Sequence, residues 1–237
     1  MSLSELQGLI QVNARVIEYV QEGLRHHSQI SLAFDADYTT IRLQELIRMR
    51  DAARTLVAAA HLARRESRFE DAADMIVMTA RFGHEATRGG IMMDKWAGLR
   101  WEGSGFREAR QMTNALPPGA CRRLVRGLEM VDAARETLEE VQEHEAECFR
   151  LGERLWVQVK IWCSLRFSPS SIRVENVPST LREADRERRA LMIHFAARAY
   201  ELEQGKLPGR ASDLVPGYLK AVPKDPETSQ EMPLKPR

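Results

Sequence analysis

Glu140, His144 and Cys148 recur every fourth residue and so share one face of a helix, where a carboxylate, an imidazole and a thiolate could converge on one metal ion. Glu143 and Glu147 enlarge that set. A dinuclear carboxylate centre, however, draws Glu-x-x-His pairs from two helices, and the chain has no such pair. The expectation is an acidic, solvated helix over 139–147 with no resident metal. His84-Glu85-Ala86-Thr87-Arg88 begins like a zinc-protease helix, but Arg88 stands where the second imidazole ligand is needed. A polar helix end is expected there instead.

Nucleophilic chemistry finds no better footing. His26, His27, His61 and His194 have no acid and nucleophile at a recognisable spacing, and each reads as a surface or packing residue. The chain contains neither a Gly-x-Ser-x-Gly elbow nor a Cys-x-x-Cys pair, and Gly103-Ser104-Gly105 lacks the lysine and preceding strand of a phosphate loop. It reads as a hinge. The sequence therefore predicts no catalytic site and no cofactor. Two basic faces remain, Arg122/Arg123/Arg126 and Arg182/Arg186/Arg188/Arg189; the second is interleaved with Glu183, Asp185 and Glu187, a pattern of intrahelical pairs on a solvated surface.

Whole-chain charge points the same way. Across 237 residues, 35 lysines and arginines stand against 34 acids, a formal charge of +1 and far from the basic excess of a chain devoted to phosphate neutralisation. Nucleic acid is disfavoured as a partner. Three cysteines, Cys121, Cys148 and Cys163, are an odd number scattered through helical sequence, which fits a reducing compartment better than a disulfide framework. No stretch approaches the roughly 18 apolar residues that span a bilayer. The expectation is a soluble, cytoplasmic protein, membrane-associated if a natural anchor precedes Met1.

The elements that would carry these residues are helices, because apolar residues recur at three- and four-residue spacing and no alternating strand is evident. A first helix is expected from about Ser4 to Ile30, opened by a Ser2/Glu5 capping box. A second, from about Tyr38 to Arg65, sets Leu43, Leu46, Ile47, Ala53, Leu56, Val57 and Ala60 on one face and Arg42, Arg48 and Arg54 largely elsewhere. A short turn at 66–68, with Ser67 and Glu70 as a further capping box, makes the next helix antiparallel to it. Gly83, Gly89, Gly90, Gly98 and Gly103 to Gly105 read as helix ends and a bend around Trp96 and Trp101. Pro117-Pro118 opens one long helix or two consecutive ones reaching about Leu165. After a linker at 167–179, Thr180 and Glu183 open a last helix that Gly205 closes.

Ala59-Ala60-His61-Leu62-Ala63 followed by Ser67-Arg68-Phe69-Glu70-Asp71-Ala72 resembles the helix join of a tetratricopeptide-type repeat, with Ser67 in place of the usual glycine and no second copy at a period of about 34 residues. At the other end, Tyr200 to Pro208 and then Leu214-Val215-Pro216-Gly217-Tyr218-Leu219 and Val222-Pro223-Lys224-Asp225-Pro226 resemble the helix, leucine loop and Val-Pro-x-Asp-Pro turn of type II secretion pseudopilins. The apolar assembly helix of that family is missing from this chain. The whole arrangement is also similar to bacterial proteins with a helical body and a pseudopilin-like end. Independently of any likeness, Leu207, Leu214, Val215, Tyr218, Leu219 and Val222 are expected to fold back as a clasp on Leu191, Phe195, Ala199 and Leu202.

Taken together, the sequence predicts an all-α protein of antiparallel hairpins: a body at 1–166, a linker at 167–179, and a helix-plus-clasp at 180–237. The function expected of it is a non-catalytic scaffold or protein-interaction module, since stacked hairpins form grooves that accept a partner segment. Phe69, Trp96 and Trp101 are the candidate contacts, provided they are exposed. The alternative is a component of a bacterial envelope or secretion-related assembly, implied by the pseudopilin likeness.

Overall fold

The computed structural model describes residues 1–30, 38–151 and 177–234. They form eight α-helices: α1 (Leu3–Val12), α2 (Ala14–Gly23), α3 (Tyr38–Arg65), α4 (Phe69–Glu85), α5 (Met92–Met112), α6 (Pro118–Ala134), α7 (Leu138–Leu151) and α8 (Val177–Gln204), with a short 3₁₀ turn at Ala211–Leu214. The fold is all-α, as the periodicity predicts. Among the described residues no helix is long and apolar enough to cross a membrane. The expected course of the chain through Cys163 to Leu165, and most of the expected linker, lie outside the described residues.

Local chemistry sets the helix limits. Ser2 and Glu5 exchange the two bonds of a capping box, Glu5 N–H to Ser2 Oγ at 3.2 Å and Ser2 N–H to Glu5 Oε2 at 2.7 Å. The single helix expected over 4–30 is instead two, because Asn13 leaves the helical well (φ −100°, ψ 11°) while its Nδ2 donates to the Leu9 carbonyl at 2.8 Å. A side chain that bonds to the backbone of the preceding turn competes with helix continuation. The second expected capping box does not form either. Ser67 adopts φ 58° in the left-handed turn that ends α3, where Arg68 N–H reaches the Ala63 carbonyl at 2.8 Å, so the N-cap of α4 is Arg68. Thr180 lies inside α8 rather than at its start. A capping box that the sequence does spell, Thr137 with Glu140, opens α7 after Arg135 turns to extended backbone.

α4 is the central helix, packed on α3, α5 and α6, while α8 covers α5 and α6 and the short pair α1–α2 lies on α3. Small residues let these axes approach: Ala60 and Ala63 of α3 meet Ala72, Ala73, Ile76 and Ala80 of α4 in the core. Gly83 and Gly98, expected at helix ends and a bend, do the same work. α5 runs unbroken through Gly98, Gly103 and Gly105, and Gly98 backs onto Gly83 of α4 so closely that a Cβ there would stand 2.2 Å from the Gly83 carbonyl oxygen. Glycine here permits contact, not curvature.

The C-terminal segment closes on the same core. Gly205 (φ +68°) ends α8, and Leu214 and Leu219 are wholly buried with Leu191, Phe195 and Ala199, while Val215 and Tyr218 pack at the edge. Leu202 and Leu207 depart from the expected clasp, at 40% and 60% exposed. The reason is where the loop crosses: Tyr218 meets α8 through the Tyr200 ring (5.3 Å between centroids) and Glu203, which leaves Leu202 on the far side. Arg186 then ties down the turn at Asp225 with bonds of 2.8 and 3.1 Å, and its guanidinium holds that carboxyl well below the usual carboxylate range.

Candidate functional site

Two concavities differ in kind. The first is a polar chamber of about 470 Å³ where α4, α5, the α6–α7 connection, α8 and the 224–229 turn converge. Its centre is Arg188, 4% exposed at the side chain, whose Nε and Nη2 donate to both oxygens of Glu102 at 2.6 and 2.9 Å and whose Nη1 serves Asp132 and Asp185, each at 3.0 Å. Arg135 pairs in turn with Asp185, and Arg189 with Asp132. Burial alone would lower the pKa of Arg188, but the facing carboxylates of Glu102, Asp185 and Asp132 raise it and keep the guanidinium charged.

The same balance holds on the chamber's other wall. Lys95 is bound to Glu136, which also accepts from Gly89 N–H at 2.8 Å. Burial pushes the lysine down, and Glu136 opposes that. His84 is pushed down to about 4 by burial and by the Arg88 guanidinium, 2.8 Å from its Nε2, and that nitrogen also lies 2.6 Å from the Ala134 carbonyl oxygen, so the imidazole is held neutral. Perturbed ionisable groups in a cleft are the usual mark of a reactive site. Here Arg188 and Lys95 are each met by opposite charges from other segments, which ties α5, α6, the α6–α7 connection and α8 together.

A second buried ion pair joins α3 to the α4–α5 corner. Arg42 Nε donates to Asp94 Oδ1 at 2.6 Å and its Nη2 to the Ala86 carbonyl at 3.1 Å. Arg42, expected off the packed face, is 4% exposed; the fully buried Asp94 accounts for it, because a buried carboxylate requires a partner.

The second concavity is a groove of about 630 Å³ between α3 and α5. The two helices run side by side in the same direction, since Arg42 meets Asp94 near their starts and Arg64 meets Glu108 toward their ends. Its apolar floor is half-buried Ile47 and Val57 of α3 over the buried Leu46, Ala53, Met93, Ala97 and Trp101. Arg50 and Arg54 rise on one wall, Arg100 and Arg107 on the other. Arg50 and Arg54 share Asp51 (3.1 and 3.7 Å), Arg100 lies over the Trp96 ring at 5.0 Å, and Arg107 donates to Ser104 Oγ at 2.8 Å. Neither Arg100 nor Arg107 has a carboxylate partner among the described residues. The lining carboxylate Glu108 is already held by Arg64 and His61.

The candidates from the sequence fall in different places. Trp96, half-buried, and Trp101, 6% exposed and stacked on Phe82 at 5.7 Å, both line the groove, but Trp101 is a core residue with little surface to offer. Phe69 lies apart, packed against the main core at the start of α4. Glu140, His144 and Cys148 are not brought together: Glu140 caps α7, His144 Nδ1 stands 3.9 Å from Glu136, and Cys148 is buried with Leu46 and Ala53, its thiol pushed up to about 11 by burial. Among the described residues no three potential ligands form a metal-binding group. Arg50, Arg100 and Arg107 of the groove and Lys95, Glu102 and Glu136 of the chamber carry no sequence signal of a site, and Arg54 only that of an unpacked face; a charge within an otherwise apolar helical stripe, as at Glu102, is the one signal that could have flagged the buried ones.

Compared with family models, curated proteins and solved structures, the chain matches none.

Proposed function

We propose that this protein is a non-catalytic helical interaction module whose docking surface is the α3/α5 groove. The observation that carries the reading is the contrast between the chamber and the α3/α5 groove. In the chamber the buried charges are consumed pairwise by one another, as Arg188 is by Glu102, Asp132 and Asp185. In the groove an apolar floor is flanked by four arginines, of which Arg50 and Arg54 share the one carboxylate of Asp51 and Arg100 and Arg107 meet none among the described residues. A surface that combines desolvatable apolar area with arginine and tryptophan is the composition of an interface centre. Trp96, beneath Arg100, is the contact residue this reading selects.

The test is capture of partners from native extract by the intact protein and by a Trp96→Ala/Arg100→Ala variant with unchanged helical content. Partners held by the first and lost by the second support the reading. An identical partner set with both variants contradicts it and transfers attention to the C-terminal segment, where the envelope-assembly alternative would have to act.

A further inference from the structure

We infer that the groove takes an acidic amphipathic α-helix of a partner protein, about 11–18 residues in contact, with apolar side chains against the α3/α5 floor and carboxylates beside Arg50, Arg54, Arg100 and Arg107. This rests on the reading of the groove as the docking surface and adds the chemistry of what docks. Charge selects the sign of the partner. The chain as a whole carries +1, yet the groove lining holds four arginines against Glu108, which already has Arg64 as its partner, and Asp51 beside the lining, which Arg50 and Arg54 share, so Arg100 and Arg107 keep their full charge. A neutral protein that concentrates positive charge along one apolar groove is complementary to a ligand of opposite sign.

Shape selects a helix. Met93, Trp96, Ala97, Arg100, Arg107 and Gln111 follow one another at helical spacing along α5, a stripe about 27 Å long at 1.5 Å per residue. α3 supplies the facing row from Leu46 to Val57, about 16 Å. Two helices side by side offer a ridge-and-groove seat to a third, and present no strand edge on which an extended peptide could add. The floor also disfavours single-stranded nucleic acid, which needs successive aromatic platforms. Here the floor is mainly aliphatic, Trp101 is buried, and the Trp96 face is occupied by Arg100.

The experiment uses the full chain and a fluorescein-labelled 18-residue peptide with Leu and Ala at i, i+3 and i+4 positions and Glu on both flanks of that stripe, read by anisotropy at two salt concentrations. The result expected is saturable binding that weakens with salt, falls roughly tenfold or more in an Arg100→Glu/Arg107→Glu variant of unchanged circular dichroism, and is restored to that variant by a peptide with Lys in place of Glu. Equal binding of a peptide of the same composition with its apolar stripe scrambled overturns the proposal, because charge alone would then suffice. Preference of the unaltered protein for the Lys peptide, or for an oligothymidylate, overturns the acidic-helix inference while leaving the groove as the docking surface. Failure of every peptide overturns the inference too; the groove reading fails with it only if Trp96→Ala/Arg100→Ala also leaves captured partners unchanged.

Discussion

Replacing Arg188 by methionine removes the guanidinium at the centre of the chamber and isolates one group above the others. Asp185 keeps Arg135 and Asp132 keeps Arg189, but Glu102, 5% exposed at its side chain, loses both its bonds to Arg188. A buried carboxylate stripped of its partner destabilises by about 3–5 kcal/mol. For a chain of this length that corresponds to a fall in Tm of roughly 6–20 °C. The double variant Arg188→Met/Glu102→Met removes both charges and keeps apolar volume, so it should recover at least about 2 kcal/mol relative to the single change. Urea denaturation followed by helical circular dichroism gives all four corners of the cycle. The reasoning is refuted if Arg188→Met costs less than about 1 kcal/mol, or if the double variant is as unstable as the sum of the singles.

Three further outcomes follow from the packing. Gly98→Ala should destabilise by about 1–3 kcal/mol, because its Cβ would press on the Gly83 carbonyl, whereas Gly103→Ala, with open space at its Cβ, should gain up to about 1 kcal/mol in the same denaturation assay. Leu214→Ala in the C-terminal clasp should cost about 2–5 kcal/mol and Leu202→Ala under about 0.5 kcal/mol, since the first is wholly buried and the second exposed. His84 is held near pKa 4 against an unfolded value of 6.5, so folding favours its neutral form. Its stabilisation is complete above pH 6.5 and is lost as pH falls toward 4; on the order of 2 kcal/mol of the acid dependence should vanish in His84→Gln, measured by urea midpoints at pH 7.5 and 4.5.

The helical class was legible because apolar spacing is a local property, and so were Pro118 opening α6 and Gly205 closing α8. Asn13 and Ser67 were harder, since each can either cap a helix or end one, and only the backbone angle chosen in the folded chain decides. Gly98 misled for a related reason: glycine at a bend and glycine at a helix crossing look identical until the crossing partner, Gly83, is known. The chamber was illegible because its bonds join residues far apart in sequence, Arg188 to Glu102 across 86 positions and Lys95 to Glu136 across 41. The groove was half legible. Trp96 was identified by type, but Arg50 and Arg100 acquire meaning only because α4 brings α3 and α5 side by side.

Amide hydrogen exchange of the protein, alone and with a captured partner bound, tests the central claim most directly. New protection is expected at 46–57 of α3 and 93–111 of α5, with the chamber segments 135–141 and 181–189 unchanged. New protection at the chamber segments, with the groove left as it was, would contradict it.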